Sequence, residues 1–287
     1  MQLLFRDGTV KEVSGGQQRA LGFLYATALG RFLLKPLVRP WLSHMVGWLL
    51  SRKVSCMLIK PFIRSNDIDM SQFEPTKYKS YNDFFTRRIK AGARIMDMAP
   101  AHFISPCDSK LSIYPITGNG CFTIKHTRYT MASLLQDKQL AAAFEGGTLL
   151  VFRLAVDDYH RFCYPADGCV VTRRRIPGRL HTVMPIANDY YPIYKENTRE
   201  YCVIDTERFG RVVMMEVGAL MVGRIVNFEV DAQVERGQEK GCFEFGGSTI
   251  VLAFEKDRIR VDEDLLNHSA RGFETIVKYG EKIGTVH

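Results

Sequence analysis

The stretch Phe245-Gly246-Gly247-Ser248-Thr249 places a hydroxyl directly after two residues that carry no Cβ. Glycine frees the backbone for strained dihedrals, and a serine oxygen can then approach a neighbouring carbonyl. That is the geometry of a hydroxyl nucleophile. The same five residues also suit a Gly-rich hairpin turn between a strand over 242–245 and the β-branched run 249–252. Three side chains elsewhere could serve such a hydroxyl. His160 follows a predicted strand over 149–156, His181 lies in a strand-like run over 178–183, and Asp108 ends the turn Ser105-Pro106-Cys107. Serine, imidazole and carboxylate form a proton relay when brought within hydrogen-bond reach. Taken singly, each is also ordinary turn, capping or core chemistry.

The elements that must position these groups change character along the chain. Residues 1–18 are polar and Gly-containing and read as a loosely held lead-in. Leu21, Leu24, Tyr25, Ala28 and Phe32 recur at helical spacing, Pro36 and Pro40 punctuate, and the apolar pattern resumes from Trp41 to Leu50. Residues 67–81 turn polar and connect to the main body. In Tyr81-Asn82-Asp83-Phe84-Phe85-Thr86-Arg87-Arg88, paired Phe beside paired Arg reads as a helix docking its aromatics inward. From about 103 to 259 short β-rich runs alternate with Gly, Pro, Asn and Asp, at 111–114, 148–152, 211–217, 222–226 and 250–254, with one helix over 130–136. Strands at this density without regular intervening helices predict an α+β fold: N-terminal helices over 1–80, then an antiparallel β-rich body over 81–287 that carries the Gly-Ser turn.

Charge narrows the partners. The chain carries a net +8, and residues 1–60 alone hold nine Lys or Arg against Asp7 and Glu12, so the cationic surface belongs to the N-terminal segment. Arg31, Lys35 and Arg39 break that segment's apolar runs below the roughly 18–20 residues a spanning helix needs. Apolar helices with Trp, Phe and Leu flanked by Lys and Arg suit the plane of an anionic membrane surface; they equally suit capping of the protein's own core. No base-reading module is present, so nucleic acid is not an expected partner. Seven cysteines without a C-x-x-C pair, and no secretory signal, predict a reduced intracellular chain with no metal site.

Five segments in order, Tyr81-Asn82-Asp83-Phe84-Phe85-Thr86-Arg87, Ser105-Pro106-Cys107-Asp108, Asp158-Tyr159-His160-Arg161, Gly218-Ala219-Leu220-Met221-Val222-Gly223 and Phe245-Gly246-Gly247-Ser248-Thr249, resemble the pyruvoyl-dependent phosphatidylserine decarboxylases. The resemblance runs from about residue 20 to Gly284. It implies a proenzyme that cuts itself between Gly247 and Ser248 into fragments 1–247 and 248–287 that stay associated. It further implies a pyruvoyl group made from Ser248, which holds phosphatidylserine as a Schiff base while CO2 departs and phosphatidylethanolamine forms. The implied setting is peripheral, on the cytoplasmic face of the cell membrane, with homo-oligomerisation left open. Three departures stand out. Gly246 occupies the place of the family's usual Leu, Ser109 replaces a Gly, and His160-Arg161-Phe162-Cys163 replaces His-Arg-x-His. The family's relay for self-cleavage uses Asp, the second His and Ser. Here Asp108 and Ser248 match, Cys163 takes the relay position, and the base is open between His160 and His181. His160 matches the His associated with decarboxylation. A catalytically inactive lipid-binding relative and a pyruvoyl decarboxylase of a soluble amino acid are the alternative readings.

Overall fold

A computed structural model describes residues 2–12, 16–124, 126–220, 224–229 and 231–287. Its centre is built from aliphatic runs that lack polar alternation. Every residue of the strand Ser248–Phe254 is buried. Successive side chains of a strand point to opposite faces, so Ile250, Leu252 and Phe254 enter one apolar cluster and Val251 and Ala253 another. A strand covered on both faces has no use for solvent-facing positions.

This strand lies within a ten-stranded sheet, antiparallel to Gly210–Val217 on one side and to Thr148–Leu154 on the other. Beyond Gly210–Val217 come Arg199–Thr206, Gly168–Ile176 and Gln233–Val234; beyond Thr148–Leu154 come Ser109–Pro115, Glu274–Val277, Gln2–Leu4 and Val10–Glu12. All these pairings are antiparallel except Gln2–Leu4 on Glu274–Val277. Helices α1 (Gly16–Ala26) and α2 (Ala28–Leu37) help cover the Val251 face, where Leu21, Tyr25 and Leu34 join Tyr129, Phe144 and Tyr194. The Ile250 face is closed by two three-stranded sheets, Ile225–Asn227 with Glu239–Phe243 and Arg161–Cys163, and Ile259–Val261 with Lys282–Val286 and His102–Ile104. The α+β architecture with N-terminal helices is thus as the sequence predicts.

The helical pattern over 21–32 resolves into two helices, because Thr27 stops α1 and caps α2 by accepting the Gly30 N–H. Pro40 then opens α3 (Pro40–Leu50) at its first turn, where a missing N–H costs nothing. These helices bury one face and expose the other: Phe23, Leu29, Phe32, Trp41, Met45 and Trp48 are all solvent-exposed. Arg52 stacks over the Trp48 ring at 4.1 Å. Among the described residues no helix is long and apolar enough to cross a membrane.

Two expectations are corrected. The start of the chain is not a loose lead-in: Leu3 and Leu4 are buried, and Arg6 bonds Asp262, Asp264 and Glu281. Its apolar Leu-Leu pair is what the outer edge of the sheet needs. Residues 242–245 and 249–252 do not form a hairpin either. Glu239–Phe243 pairs within a small sheet and Ser248–Phe254 within the large one, so residues 244–247 pass between layers. The predicted helix over 130–136 is Met131–Leu135, with Thr130 and Ser133 forming a capping box. The strand expected over 222–226 falls partly outside the described residues; its described part is Ile225–Asn227.

Candidate active site

Ser248 opens the central strand opposite Leu154, one residue before the Thr249–Val217 pair. By alternation its side chain shares a face with Ile250 and Leu252, toward the small sheet that contains Arg161–Cys163. Both Ser248 Oγ and Thr249 Oγ1 are buried without a hydrogen-bond partner. Each such orphan costs about 1–3 kcal/mol, so a fold retains one only where something else requires it.

The turn before Ser248 is held from the N-terminal side. Asn82, in the short helix Tyr81–Phe85 capped by Ser80, accepts the Phe245 N–H through its Oδ1 at 3.0 Å. The Phe245 ring meets Tyr81 and Phe85 edge-on at 5.2 and 5.3 Å. Gly246 has φ +130°, a conformation that residues with a Cβ avoid, which accounts for glycine where the family usually has leucine. Gly247 is under no such constraint: a Cβ there would meet Leu154 O and Val183 Cγ2 at an ordinary 3.6 Å.

His160 is fully buried and stacks on Phe85 with ring centroids 4.1 Å apart. Its Nε2 lies 3.0 Å from the carbonyl oxygen of Ala155, the residue after the Ser248 partner Leu154. A carbonyl can only accept, so Nε2 carries the hydrogen and Nδ1 presents its lone pair. That Nδ1 is buried and unpartnered. Burial, reinforced by Arg87, drives the imidazole pKa down to about 3, so it is neutral near pH 7. Asp158 fixes the same loop: its carboxylate accepts the Ala155 N–H at 2.7 Å and the Lys110 ammonium at 2.5 Å.

Asp108 and Cys163 are both held at the Pro106 turn, Asp108 by sequence and Cys163 by hydrogen bonding. Asp108 receives Arg94 through Nε and Nη2 at 3.2 and 2.7 Å, the Tyr279 N–H at 2.8 Å and Lys278 Nζ at 3.5 Å. Burial alone would raise its carboxyl pKa, but Arg94 and Lys278 outweigh burial and hold it below the usual range. Cys163 donates its N–H to Pro106 O, and its thiol lies 3.6 Å from the same oxygen. Burial pushes that thiol up to about 12. A neutral thiol is a poor proton acceptor, and the Asp108 carboxylate is already occupied by cations.

His181 is buried on a third side. Its Nδ1 lies 3.4 Å from the Tyr25 hydroxyl, which itself accepts the Thr182 N–H, and its ring stacks on Tyr191 at 4.4 Å. Burial, with Arg179, lowers its pKa to about 4. Two residues on, Val183 touches the Gly247 position. The structure therefore places His160 on the loop that follows Leu154, the strand partner of Ser248, ties Cys163 to the Pro106 turn that precedes Asp108, and brings the His181 segment alongside through Val183. Asn82, Phe85, Asp158 and Lys110 complete the site and were not legible as site residues. Their one sequence signal is that Asn82, Phe85 and Asp158 lie in segments that resemble the family. Among the described residues no cluster of His, Cys, Asp or Glu could hold a metal ion.

The family model for phosphatidylserine decarboxylase matches residues 81–285. A phosphatidylserine decarboxylase proenzyme 2 from Clostridium acetobutylicum is 47% identical over 275 residues, covering 96% of this chain and 93% of that protein. Proenzymes of the same name from Fusobacterium nucleatum and Ruminiclostridium cellulolyticum are each 38% identical; the matches cover 97% and 96% of this chain and 95% and 93% of theirs. A family match over most of the chain, together with relatives alike over nearly their whole length, means that the chain belongs to the phosphatidylserine decarboxylase family.

Proposed function

We propose that this chain is a proenzyme that cuts itself between Gly247 and Ser248 and then converts phosphatidylserine to phosphatidylethanolamine and CO2 at a peripheral membrane site. The observation that carries this reading is the orphaned Ser248 Oγ beside a glycine that neither packing nor backbone conformation demands. In the first step Oγ attacks the Gly247 carbonyl carbon and the Gly247–Ser248 amide breaks, leaving an ester. His160 Nδ1 is the base that accepts the hydroxyl proton: its ring is held on the loop that follows Leu154, the strand partner of Ser248, whereas His181 has Nδ1 beside the Tyr25 hydroxyl and its unpartnered Nε2 3.7 Å from Glu196. Loss of the Ser248 α-proton with cleavage of Cβ–Oγ frees the Gly247 carboxylate and leaves dehydroalanine. Water then converts it, with loss of ammonia, to a pyruvoyl cap.

A pyruvoyl group supplies a ketone that accepts an amine and draws electrons from the bond to a departing carboxylate. Ser248 fits that role, since it heads a strand that its neighbours clamp from both sides. The chain's own residues do the rest. His160 Nδ1 takes up a proton from water in each turnover and passes it to the carbon that loses CO2, and Phe85 covers the imidazole face. The fragment 248–287 would stay bound after cleavage, because Ser248–Phe254 is flanked by strands of the other fragment and Glu274–Val277 and Lys282–Val286 pair with it as well.

Membrane contact falls to α1–α3, whose exposed Phe23, Leu29, Phe32, Trp41 and Trp48 are interleaved with Arg31, Lys35, Arg39 and Arg52. Each basic residue near an anionic surface contributes about 1 kcal/mol, screened by salt. The deciding test is intact mass under denaturing conditions. Self-cleavage gives two chains, the smaller starting at residue 248, resistant to Edman degradation and inactivated by borohydride. A full-length protein that still releases CO2 from phosphatidylserine would refute the mechanism. Co-sedimentation with anionic vesicles, lost on replacing Trp41, Trp48 and Phe32 by Ser, tests the membrane face.

A further inference from the structure

A cavity of about 130 Å3 lies between α3 and the end of the large sheet, lined by Pro40, His44, Arg175, Leu180, Gly218 and Arg224. Its place relative to Ser248 follows from strand register. Val217 pairs with Thr249, so Gly218 falls beside Ser248 at the next step along two antiparallel strands. Across that row Gly218 donates its N–H to Thr198 O, and Thr198 in turn exchanges hydrogen bonds with Gly178; both also line the cavity. The cavity therefore starts at the catalytic strand end and runs outward.

On the side away from Ser248 it is lined by two arginines, Arg175 and Arg224, with Glu200. Arg175 pairs across the sheet with Glu200, Glu200 with Glu216, and Glu216 with Ile250, so by alternation Arg175 stands on the same face as Ser248. Three strand spacings, roughly 14 Å, separate the two strands. Arg224 enters from the other side, next to Ile225. Both guanidinium groups lie a long 3.5 Å from a carboxylate, Glu200 and Glu244, and both are more than half exposed. Five N–H donors per arginine leave capacity for a further anion. The opposite wall is α3, where Pro40 and His44 are one turn apart and Trp48 continues the stripe onto the exposed apolar surface.

We propose that this cavity binds the phosphodiester of the lipid substrate, with Arg175 and Arg224 as the recognising pair. The inference deepens the function proposed above and rests on it. A serine phospholipid carries an amine and a phosphodiester a few bonds apart, with acyl chains beyond. Amine at Ser248, phosphodiester between the two arginines and acyl chains along Trp48 follow the same order as the chemistry of the walls. Arginine suits the phosphodiester because its planar fork donates two parallel hydrogen bonds to such oxygens.

The test uses the purified, self-cleaved protein and dihexanoyl-phosphatidylserine below its micelle concentration, so that vesicle binding plays no part. Arg175→Gln and Arg224→Gln should each raise KM about tenfold, with kcat changed less than about twofold, and Lys at either position should restore part of the loss. Self-cleavage, read by mass, should run to completion in all variants. Unchanged KM in the double variant overturns the proposal, as does a fall in kcat with no change in KM. A wild-type protein that neither cleaves nor releases CO2 would instead sink the underlying function. An active wild type beside an unaffected double variant removes only the phosphodiester site.

Discussion

Two buried polar clusters lie near the two ends of the strand Arg161–Cys163, and they differ in how their titratable groups are partnered, although Ser109 Oγ beside Asp108 has no partner. Around Asp108 the carboxylate has Arg94, Lys278 and the Tyr279 N–H, and the Cys163 N–H has Pro106. Around Ser248 two buried atoms, Ser248 Oγ and His160 Nδ1, have no partner, and Thr249 Oγ1 on the other face of the strand has none either. Satisfied groups hold a fold together; orphaned ones weaken it. The proton transfer proposed above is assigned to the second cluster. The contrast also bears on the missing relay histidine. Where the family pairs Asp with His, this chain pairs Asp108 with cations and places at 163 a thiol whose pKa burial raises; in the function proposed above the proton chemistry therefore falls to His160.

The sharpest way to break this contrast is Ser248→Ala. Cleavage should cease altogether, and removal of a buried orphan hydroxyl should leave stability unchanged or raise it by about 1 kcal/mol in chemical denaturation. Marked destabilisation would mean that the hydroxyl has a structural partner. Next comes His160→Ala, which should slow cleavage by about 10² to 10⁴-fold, while His181→Ala slows it less than about tenfold; the reverse ranking would transfer the base to His181.

Asp108→Ala should act on the other ledge of the comparison. Leaving the partly buried Arg94 without its carboxylate costs about 1–3 kcal/mol, and denaturation midpoints would show it even in the Ser248→Ala background, where no cleavage intervenes. Because the folded-state pKa of Asp108 is depressed, its stabilising contribution is present above the unfolded carboxyl pKa and is lost as pH falls through the folded value.

The pH dependence of His160 has its own signature. Its folded pKa is about 3 against 6.5 unfolded, so the unfolded state binds more protons between those values. Stability should therefore fall as pH drops through that window, at up to about 1.4 kcal/mol per pH unit, and His160→Gln should remove this slope. Since the imidazole is neutral throughout, the cleavage rate should show no inflection near pH 6.5. An inflection there would place a solvent-titrating base in the step. The smallest effect belongs to Cys163→Ala, with a cleavage rate within about threefold of wild type and a packing loss of about 1 kcal/mol. A large loss of cleavage would return the relay to position 163.

How far the site could be read from the chain depends on which contacts are local. Residues 250–254 form an unbroken aliphatic run, and such a run means a strand buried on both faces whatever surrounds it. The spacing of Leu21, Tyr25 and Leu34 likewise marks a helical face that will be covered. Adjacency made Gly247 and Ser248 a candidate scissile pair, because the reacting carbonyl and hydroxyl are covalent neighbours. The hairpin expected around them failed for a physical reason. Turn chemistry specifies that the chain bends, not which sheet each arm joins, and here the arms join different layers.

What only the tertiary structure decided is which groups meet. Asp108 is paired with Lys278 across 170 residues of chain, and the Tyr25 hydroxyl with His181 across 156. No periodicity in the sequence encodes either pairing. Hydrophobic pattern is written residue by residue, since burial depends on each side chain's own transfer energy. Proton chemistry depends on register and layer packing, which bring distant segments within hydrogen-bond reach. His160 and His181 are the same residue type in similar strand-like surroundings, and only the fold leaves one Nδ1 free and sets the other beside a tyrosine hydroxyl.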